Sequence, residues 1–302
     1  MDNKTWIWAL AGLIAATALG CSRDPGPKVV VYSALDQEFA QPILQRYQAD
    51  HRITVDGKFD IESTKTVGLT NQIIAERDQP RCDLFWNNEI VNTLRLRQKG
   101  LLEPFQPAGA EDIPEAFRAK DGTWYGFAAR ARILLVNTEK VAEEDRPRSI
   151  RDLIDPRWKG KIGIAKPLFG TTATHATSLF AAWGDEPARQ FFRALKANGV
   201  RIDSGNRDVA RSVGRGEIAF GLTDTDDAMA ELAEGSPVAI VYPDREADQM
   251  GTLFIPNTIA LIKGAPHRDQ AIALAGYILS PEVETALARG PSAESRSTRR
   301  ST

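Results

Sequence analysis

The chain has 302 residues, of which 26% are charged, and a formal net charge of -2 at pH 7. No basic cluster precedes the C-terminal tail, which argues against nucleic acid as a partner. Two cysteines and three scattered histidines provide neither a disulfide framework in a mature chain nor a structural zinc site.

Residues 1–20 predict a secretory signal peptide. An apolar run extends from Trp6 to Leu19, and small residues precede Cys21. The run is too short to span a membrane comfortably. The segment before Cys21 fits a lipobox, in which the thiol takes a lipid, although an ordinary signal peptide with a nearby cysteine would look similar. We predict export to the periplasmic or cell-surface face, lipid anchoring at Cys21, and a tether at 21–28.

Strands and helices alternate through the first half of the mature chain. The β-branched run at 29–32 predicts a buried strand, and a helix with one apolar face follows it. The predicted elements are strands at 29–32, 53–59 and 82–86 and helices at 37–47, 67–74 and 90–98. This alternation predicts a parallel, doubly wound α/β sheet.

A long apolar segment at 124–137 begins the second half, and it is long enough to run from one lobe into another. The predicted elements after it are strands at 161–164, 217–222 and 252–262, a strand at 238–242 that crosses back, and helices at 180–195, 269–279 and 281–288. We predict a first lobe from 29–130 and 243–291, and a second lobe from 131–242. The polar Ser/Arg-rich tail at 292–302 is predicted to be disordered.

Five segments together resemble one family. They are VVYSA at 30–34, CDLFWNNE at 82–89, GLLEPF at 100–105, ARARILLVNT at 129–138 and LIDPRWKGKIG at 153–163. In this order they resemble the extracellular solute-binding proteins of ABC importers, in particular the ferric-ion-binding branch. The resemblance implies a two-lobed, type II-like periplasmic-binding-protein fold. Each lobe would be a doubly wound mixed sheet, with hinge strands crossing between the lobes and a cleft that closes on ligand.

The resemblance also implies candidate cation ligands. Asp36 follows the first strand, where iron-binding relatives often carry a histidine, and Glu89 matches the family's glutamate ligand. Asp224, Thr225 and Asp226 follow the strand at 217–222, and the last two take the place of adjacent tyrosines in the iron binders. The loss of both phenolates weakens a ferric assignment. Carboxylates are nevertheless hard oxygen ligands that suit ferric, calcium, magnesium or manganese ions.

Several of these acids have a second interpretation. Acids at these positions could simply cap the next helix, because carboxylates are favoured in a first helical turn. If the acids instead converge, a cation is needed to balance them, and an organic ammonium would serve as well as a metal. Tyr32 and Tyr242 are further candidates for a phenolate ligand.

A second set of residues favours an anion. Hydroxyls and backbone amides at a helix start suit phosphate or carboxylate oxygens. The candidates, by resemblance or by position before a helix, are Gly170, Thr171, Thr172, Asn206, Ser63 and Thr64. Each is also a common capping or turn residue. Arg130 and Arg132 are predicted to form structural ion pairs near the crossing strands.

The function predicted from the sequence is ligand capture for import, not catalysis. We expect a ferric or other hard cation, held with phosphate or carbonate, and an ABC permease with its ATPase as the partner of a monomer. Alternatives are a receptor for an organic anion or zwitterion such as a phosphonate, a carboxylate-dependent hydrolase, and a sensory or structural lipoprotein. The sequence contains no nucleophile elbow, HExxH, P-loop or Rossmann glycine motif.

Overall fold

The computed structural model describes residues 26–60 and 67–289. The predicted leader, the lipid-attachment residue Cys21, the candidates Ser63 and Thr64, and the tail therefore lie outside the described residues. The strands are β1 (Lys28–Ser33), β2 (Thr54–Phe59), β3 (Leu84–Asn87), β4 (Trp124–Asn137), β5 (Ile162–Ala165), β6 (Arg201–Asp203), β7 (Phe220–Asp224), β8 (Val238–Val241) and β9 (Phe254–Leu261). The helices are α1 (Gln37–His51), α2 (Val67–Ala75), α3 (Val91–Gln98), α4 (Gly170–Trp183), α5 (Asp185–Ala197), α6 (Asn206–Gly214), α7 (Thr225–Ala233), α8 (Arg268–Ile278) and α9 (Pro281–Arg289).

Strand β4 belongs to two groups of strands and so connects two lobes. Its first half, up to Ala131, pairs with β9, and that group continues through β3 and β1 to β2. Its second half, from Arg132, pairs with β7 and β8, and that group continues through β5 to β6. We call the first group with α1, α2, α3, α8 and α9 the first lobe, and the second group with α4 to α7 the second lobe. The predicted two-lobed α/β fold with mixed sheets is confirmed.

Each lobe has an apolar core of its own. In the first lobe, Trp86 of β3 and Leu274 of α8 are fully buried in one cluster. In the second lobe, Leu134 of β4, Phe220 of β7 and Phe191 of α5 share another. Burial of apolar surface stabilises both clusters by the same mechanism. Because the cores are separate, each lobe can keep its packing while the connection between them bends.

The crossing strand is irregular at the place where it leaves the first sheet. The pairing of β4 with β9 shifts register between Phe127 and Arg130, as in a β-bulge. Ala128, inside the bulge, has a left-handed backbone with φ 43°. Its N–H donates to Glu284 of α9 at 3.1 Å, and its carbonyl accepts from the Asn257 side chain at 3.1 Å. These two contacts hold the bulge in an unfavourable conformation.

Two of the sequence-based predictions for the second lobe are wrong. The helix predicted at 180–195 is two helices, α4 and α5, which meet at Gly184 with φ 83°. Glycine tolerates this conformation, and Asp185 and Glu186 then favour a new helix start. Strand β8 pairs with the end of β4 in the second lobe, so the chain does not cross back at 238–242. It returns through 245–253, before β9, because Asp244 still bonds to Ser149 of the second lobe.

Within the described residues, no single helix is long and apolar enough to cross a membrane. Helices α8 and α9, which are bent by 57° relative to each other, reach the required length and apolar composition only when they are taken together.

Candidate functional site

Glu89 is the second residue after β3 and is 1% exposed. One carboxylate oxygen accepts hydrogen bonds from the Asn87 side chain and from the backbone N–H of Asn92, both at 2.9 Å. The other accepts from the backbone N–H of Val91 at 2.5 Å. Glu89 therefore satisfies N–H groups at the start of α3, in keeping with the helix-capping alternative.

The Glu89 carboxylate also contacts the second lobe. Thr174 of α4 donates its hydroxyl to Glu89 Oε2 at 2.8 Å, and both side chains are buried. We call the place where residues 87–89 meet α4 and the start of α7 the interlobe junction. The sequence analysis missed Thr174, although helical spacing puts Thr171, Thr174 and His175 on one face of α4. That polar stripe is the signal that could have identified it.

Arg130 forms a second bridge across the junction. Its Nη2 donates to the backbone carbonyl of Asn88 at 2.7 Å, and its Nη1 pairs with Asp226 at 3.0 Å. Burial opposes the charge of Arg130, but Asp226 and Asp224 outweigh burial and raise its pKa above the usual range. The ion pair predicted for Arg130 is confirmed, and it links the start of α7 to the segment after β3.

Arg132 is fully buried and forms an ion pair with Asp224 at 2.6 Å, which confirms the other predicted pair. The Arg132 guanidinium also donates to Asn206 Oδ1 at 3.0 Å and to the Thr172 hydroxyl at 3.3 Å. The Thr171 hydroxyl donates to Asp224 at 2.5 Å, and the Asn206 amide donates to it at 3.0 Å. The structure thus brings together three of the six residues proposed to hold an anion, Thr171, Thr172 and Asn206, around one carboxylate of the chain itself.

His175 lies beside this ion pair. Its Nδ1 accepts from Arg132 Nε at 3.4 Å, and the side chain is 4% exposed. Burial, and then the neighbouring charge of Arg132, lower the pKa of His175 from its usual 6.5 to about 3, against the opposing effect of Asp224. The imidazole is therefore neutral at physiological pH.

Three acids lie close together at the start of α7. Oxygens of Asp224, Asp226 and Asp227 fall within 4.8 Å of one another. Burial first, and then the charges of Asp226 and Asp224, raise the pKa of Asp227 well above its usual range. The part of this shift that comes from Asp226 and Asp224 is like-charge repulsion, which a bound cation would relieve. Among the described residues, neither Asp36 nor Glu89 belongs to this group.

The remaining candidates lie at the ends of strands and helices. Asp36 is half-buried at the N-cap position of α1. It follows β1, which pairs with β3, the strand that precedes Glu89. Gly170 begins α4 with φ 62°. The Thr225 hydroxyl accepts from the backbone N–H of Ala131 at 3.2 Å. Ligand contact by these residues stays a prediction.

The two tyrosines differ in their surroundings. Tyr32 donates its hydroxyl to Glu76 at 3.0 Å and accepts from Gln72 at 2.9 Å. Burial and then Glu76 raise the pKa of Tyr32, so a phenolate is costly there. Tyr242 follows β8 and is 42% exposed.

Two lobes with separate cores, a shared strand and polar side chains gathered where they meet define a solute-binding protein. The chain belongs to the family of bacterial extracellular solute-binding proteins, whose sequence profile matches residues 87–295. The resemblance stated from the five segments is confirmed. Members of this family bind solutes outside the cytoplasm and are not classed as enzymes, which indicates that the chain is exported.

Relatives and solved structures agree with this placement. The chain is 28% identical over 266 residues to iron uptake protein A2 of Synechocystis sp., covering 82% of this chain and 76% of that protein. Iron-bound HitA from Pseudomonas aeruginosa shares the fold with a TM-score of 0.78 and 24% identity over 87% of this chain and 85% of that one. AfuA from Actinobacillus pleuropneumoniae, solved with fructose-6-phosphate, has a TM-score of 0.73 and 22% identity over 87% and 82%. The shared fold is therefore compatible with more than one class of ligand.

Proposed function

We propose that this chain is the solute receptor of an ABC importer and captures a hard cation, ferric ion first, between its two lobes. The observation that carries the proposal is that an acid of each lobe takes part in a contact across the interlobe junction. Glu89 of the first lobe is held against α4, while Asp226 of the second lobe is tied through Arg130 to the residue before Glu89. The proposal is that both carboxylates hold the same ion once these contacts rearrange around it.

The charge balance supports a cation. Four carboxyl groups, those of Glu89, Asp224, Asp226 and Asp227, accompany three guanidinium groups, those of Arg130, Arg132 and Arg207. The acids outnumber these cations by one, and burial first, then the charges of Asp226 and Asp224, raise the pKa of Asp227. Carboxylate oxygens are hard ligands, so ferric, manganese and calcium ions are the appropriate candidates.

Buried polar atoms at the same junction support a polar ligand. Asn88 Oδ1, Asn257 Oδ1 and Arg130 Nε are buried and have no hydrogen-bond partner among the described residues. Buried polar atoms usually find partners, because an unsatisfied one costs free energy. All three lie close to the bulge where β4 leaves the first sheet. A hydrated ion would satisfy all three, because its water molecules can donate to the two amide oxygens and accept from Arg130 Nε.

The names of relatives favour iron over the other hard cations. Iron uptake protein A2 of Synechocystis sp. and the major ferric iron-binding protein of Neisseria meningitidis are both about a quarter identical to this chain over most of its length. The chain lacks the adjacent tyrosines implied by the resemblance, so its ferric ligands would be carboxylates. We therefore expect affinity for manganese or calcium as well.

The proposed mechanism has two states. The open state exposes the acids, and a cation stabilises the closed state because contacts with both lobes exist only there. The bulge at Phe127–Arg130 is the proposed hinge. The closed, loaded protein then docks on an ABC permease, which its ATPase drives.

A receptor for an organic anion or zwitterion is the main alternative. AfuA, solved with fructose-6-phosphate, has the same fold, so the fold does not choose between these ligands. Arg132 is the fully buried cation beside the candidate anion residues in the part of the chain that the structure describes. It is already paired with Asp224. A phosphate ester would have to compete with that carboxylate, which favours the cation.

Anchoring is part of the proposal and rests on the sequence alone. We propose that Cys21 carries a lipid that holds the exported receptor at the membrane. Radiolabelled palmitate should label the wild type and not Cys21→Ser. Equal labelling of both would reject the anchor and leave ligand capture untouched.

A thermal-shift screen of the metal-stripped protein tests the ligand class. A ligand at 100 times its Kd stabilises the folded state by about 2.7 kcal/mol. We expect ferric ion, and more weakly manganese or calcium, to raise the Tm of the wild type. The Glu89→Gln/Asp226→Asn double variant should show no such rise. A response to organic phosphates alone would favour the alternative, and equal cation responses in both proteins would reject the acidic site.

A further inference from the structure

The Asp224 carboxylate is surrounded by the groups that usually hold a dissolved anion. It is 2% exposed and accepts hydrogen bonds from the Thr171 hydroxyl, the Asn206 amide and the Arg132 guanidinium. Thr172 completes the group by donating to Asn206 and accepting from Arg132. A guanidinium, hydroxyls and an amide are the donors that phosphate and carboxylate sites use.

Two helix starts also point to the same place. Thr171 is the second residue of α4, and Asn206 is the first residue of α6. The N-terminal end of a helix carries a partial positive charge and free N–H groups, so it favours an anion. Although Asp224 is at the N-cap position of α7, its side chain makes no capping hydrogen bond to that helix. Its carboxylate instead accepts hydrogen bonds from Arg132, Thr171 and Asn206.

We propose that Asp224 is a resident anion, so that capture of a cation in the cleft requires no dissolved phosphate or carbonate. This inference rests on the proposed function for the cation, and on the geometry around Arg132 for the anion. Asp224 supplies the negative charge and Arg132 fixes its orientation. The cation ligands of the second lobe are then the neighbouring acids Asp226 and Asp227.

The electrostatics agree with this role. Arg132 pairs with the Asp224 carboxylate at 2.6 Å, and Thr171 and Asn206 also donate to it. All three partners are donors, which favours the charged form of the carboxylate. A second anion at Arg132 would meet a like charge at hydrogen-bond distance in a buried environment, where repulsion is strong.

The test uses the wild type and two matched charge-removing variants without metal. The Tm of wild type, Asp224→Asn and Asp226→Asn is measured in sodium phosphate and in sodium chloride of equal ionic strength. Removal of the resident charge frees Arg132, so phosphate should raise the Tm of Asp224→Asn by several degrees and leave the other two unchanged. A saturable rise in wild type, or no rise in a folded Asp224→Asn variant, would overturn the proposal.

A second measurement decides the question if Asp224→Asn does not fold in either salt. The wild type is titrated with ferric ion, supplied as its nitrilotriacetate complex, in buffer depleted of phosphate and bicarbonate and again with either ion added. Equal Kd values support the resident anion, and a Kd that tightens tenfold with added anion overturns it. If ferric ion does not bind at all, the proposed function fails, whereas the phosphate experiment still tests Asp224.

Discussion

The Thr174 hydroxyl of the second lobe donates a hydrogen bond of 2.8 Å to the Glu89 carboxylate of the first lobe. Thr174 is 3% exposed and Glu89 1%, so the contact is shielded from water. The same carboxylate caps α3, which fixes its position within the first lobe. The two lobes are thus joined through a side chain that is also a candidate ligand.

Thr174→Val should loosen this junction without changing the volume of the side chain much. A hydrogen bond to a charged group contributes about 1.5 to 3 kcal/mol, and Glu89 keeps its other partners. We expect the free energy of unfolding to fall by about 1.5 kcal/mol and the radius of gyration of the ligand-free protein to rise in small-angle scattering. Thr177→Val is the control, because the Thr177 hydroxyl bonds only within its own helix. Equal scattering from both variants would contradict the junction.

Arg130 has a different effect, because it neutralises Asp226 within the proposed cation site. Arg130→Met should destabilise the metal-free protein and increase its affinity for a divalent cation such as calcium, since the acids at the start of α7 lose their internal counter-ion. We expect the Kd for calcium to tighten about tenfold, or about 1.4 kcal/mol. Calorimetric titration measures this change.

Arg157→Met is the control for the loss of a guanidinium, because Arg157 pairs with Asp155 on the surface. Its Kd for calcium should match the wild type. If Arg130→Met binds calcium no better than Arg157→Met, Asp226 does not take part in cation binding.

His175 should make the stability of the protein depend on pH. Burial and Arg132 lower its pKa to about 3, and Asp224, the other charged group that faces it, opposes this only in part. In the unfolded state the pKa of His175 is near 6.5, so between about pH 6.5 and pH 3 the imidazole is protonated in the unfolded state and neutral in the folded state. The contribution of His175 is complete above about pH 6.5 and falls by up to about 1.4 kcal/mol per pH unit below it, towards pH 3.

The measurement is the free energy of unfolding of wild type and His175→Gln between pH 7 and pH 4. Glutamine retains an acceptor for Arg132 but does not titrate. Because other acids titrate in both proteins, only the difference between the two curves is informative. As the pH falls, the free energy of unfolding of the wild type should decrease more than that of His175→Gln. Parallel curves would mean that His175 takes up its proton at the same pH in the folded and the unfolded protein.

Substitution of Ala128 tests whether the bulge at the proposed hinge is strained. Its left-handed backbone, with φ 43°, costs an alanine about 1 to 2 kcal/mol. Ala128→Gly relieves that strain, which offsets the extra freedom of glycine in the unfolded chain. We expect the free energy of unfolding of Ala128→Gly to lie between the wild-type value and about 1 kcal/mol above it. Ala131→Gly, in regular strand, should lose about 1 kcal/mol. Equal losses in both variants, by urea denaturation, would show that the bulge is not strained.

The fold could be predicted where an apolar pattern was long. The segment predicted at 124–137 to run from one lobe into another has the bounds of β4, although Arg130 and Arg132 interrupt its apolar residues. The helix predicted at 180–195 failed because Gly184 lies inside an apolar pattern that continues on both sides. Strand β6 has three residues and two are exposed, so no apolar pattern marks it.

The site was less predictable than the fold. Asp224 and Asn206 were singled out from the resemblance, but nothing in the sequence places Arg132 between them, because that contact joins residues 74 and 92 positions apart. Thr174 lies in the interior of a helix, and only the polar stripe that it forms with Thr171 and His175 distinguishes it. Long-range polar contacts depend on how the lobes meet, and that is decided by packing rather than by local pattern.

The most direct test of shared capture is the Kd for ferric ion in two single variants, Glu89→Gln and Asp226→Asn. Each removes one charge from a different lobe, and competition with ferric nitrilotriacetate gives the Kd. If both lobes hold the ion, each variant should bind at least about tenfold more weakly than wild type, a loss of about 1.4 kcal/mol. Wild-type affinity in either folded variant would contradict capture between the lobes.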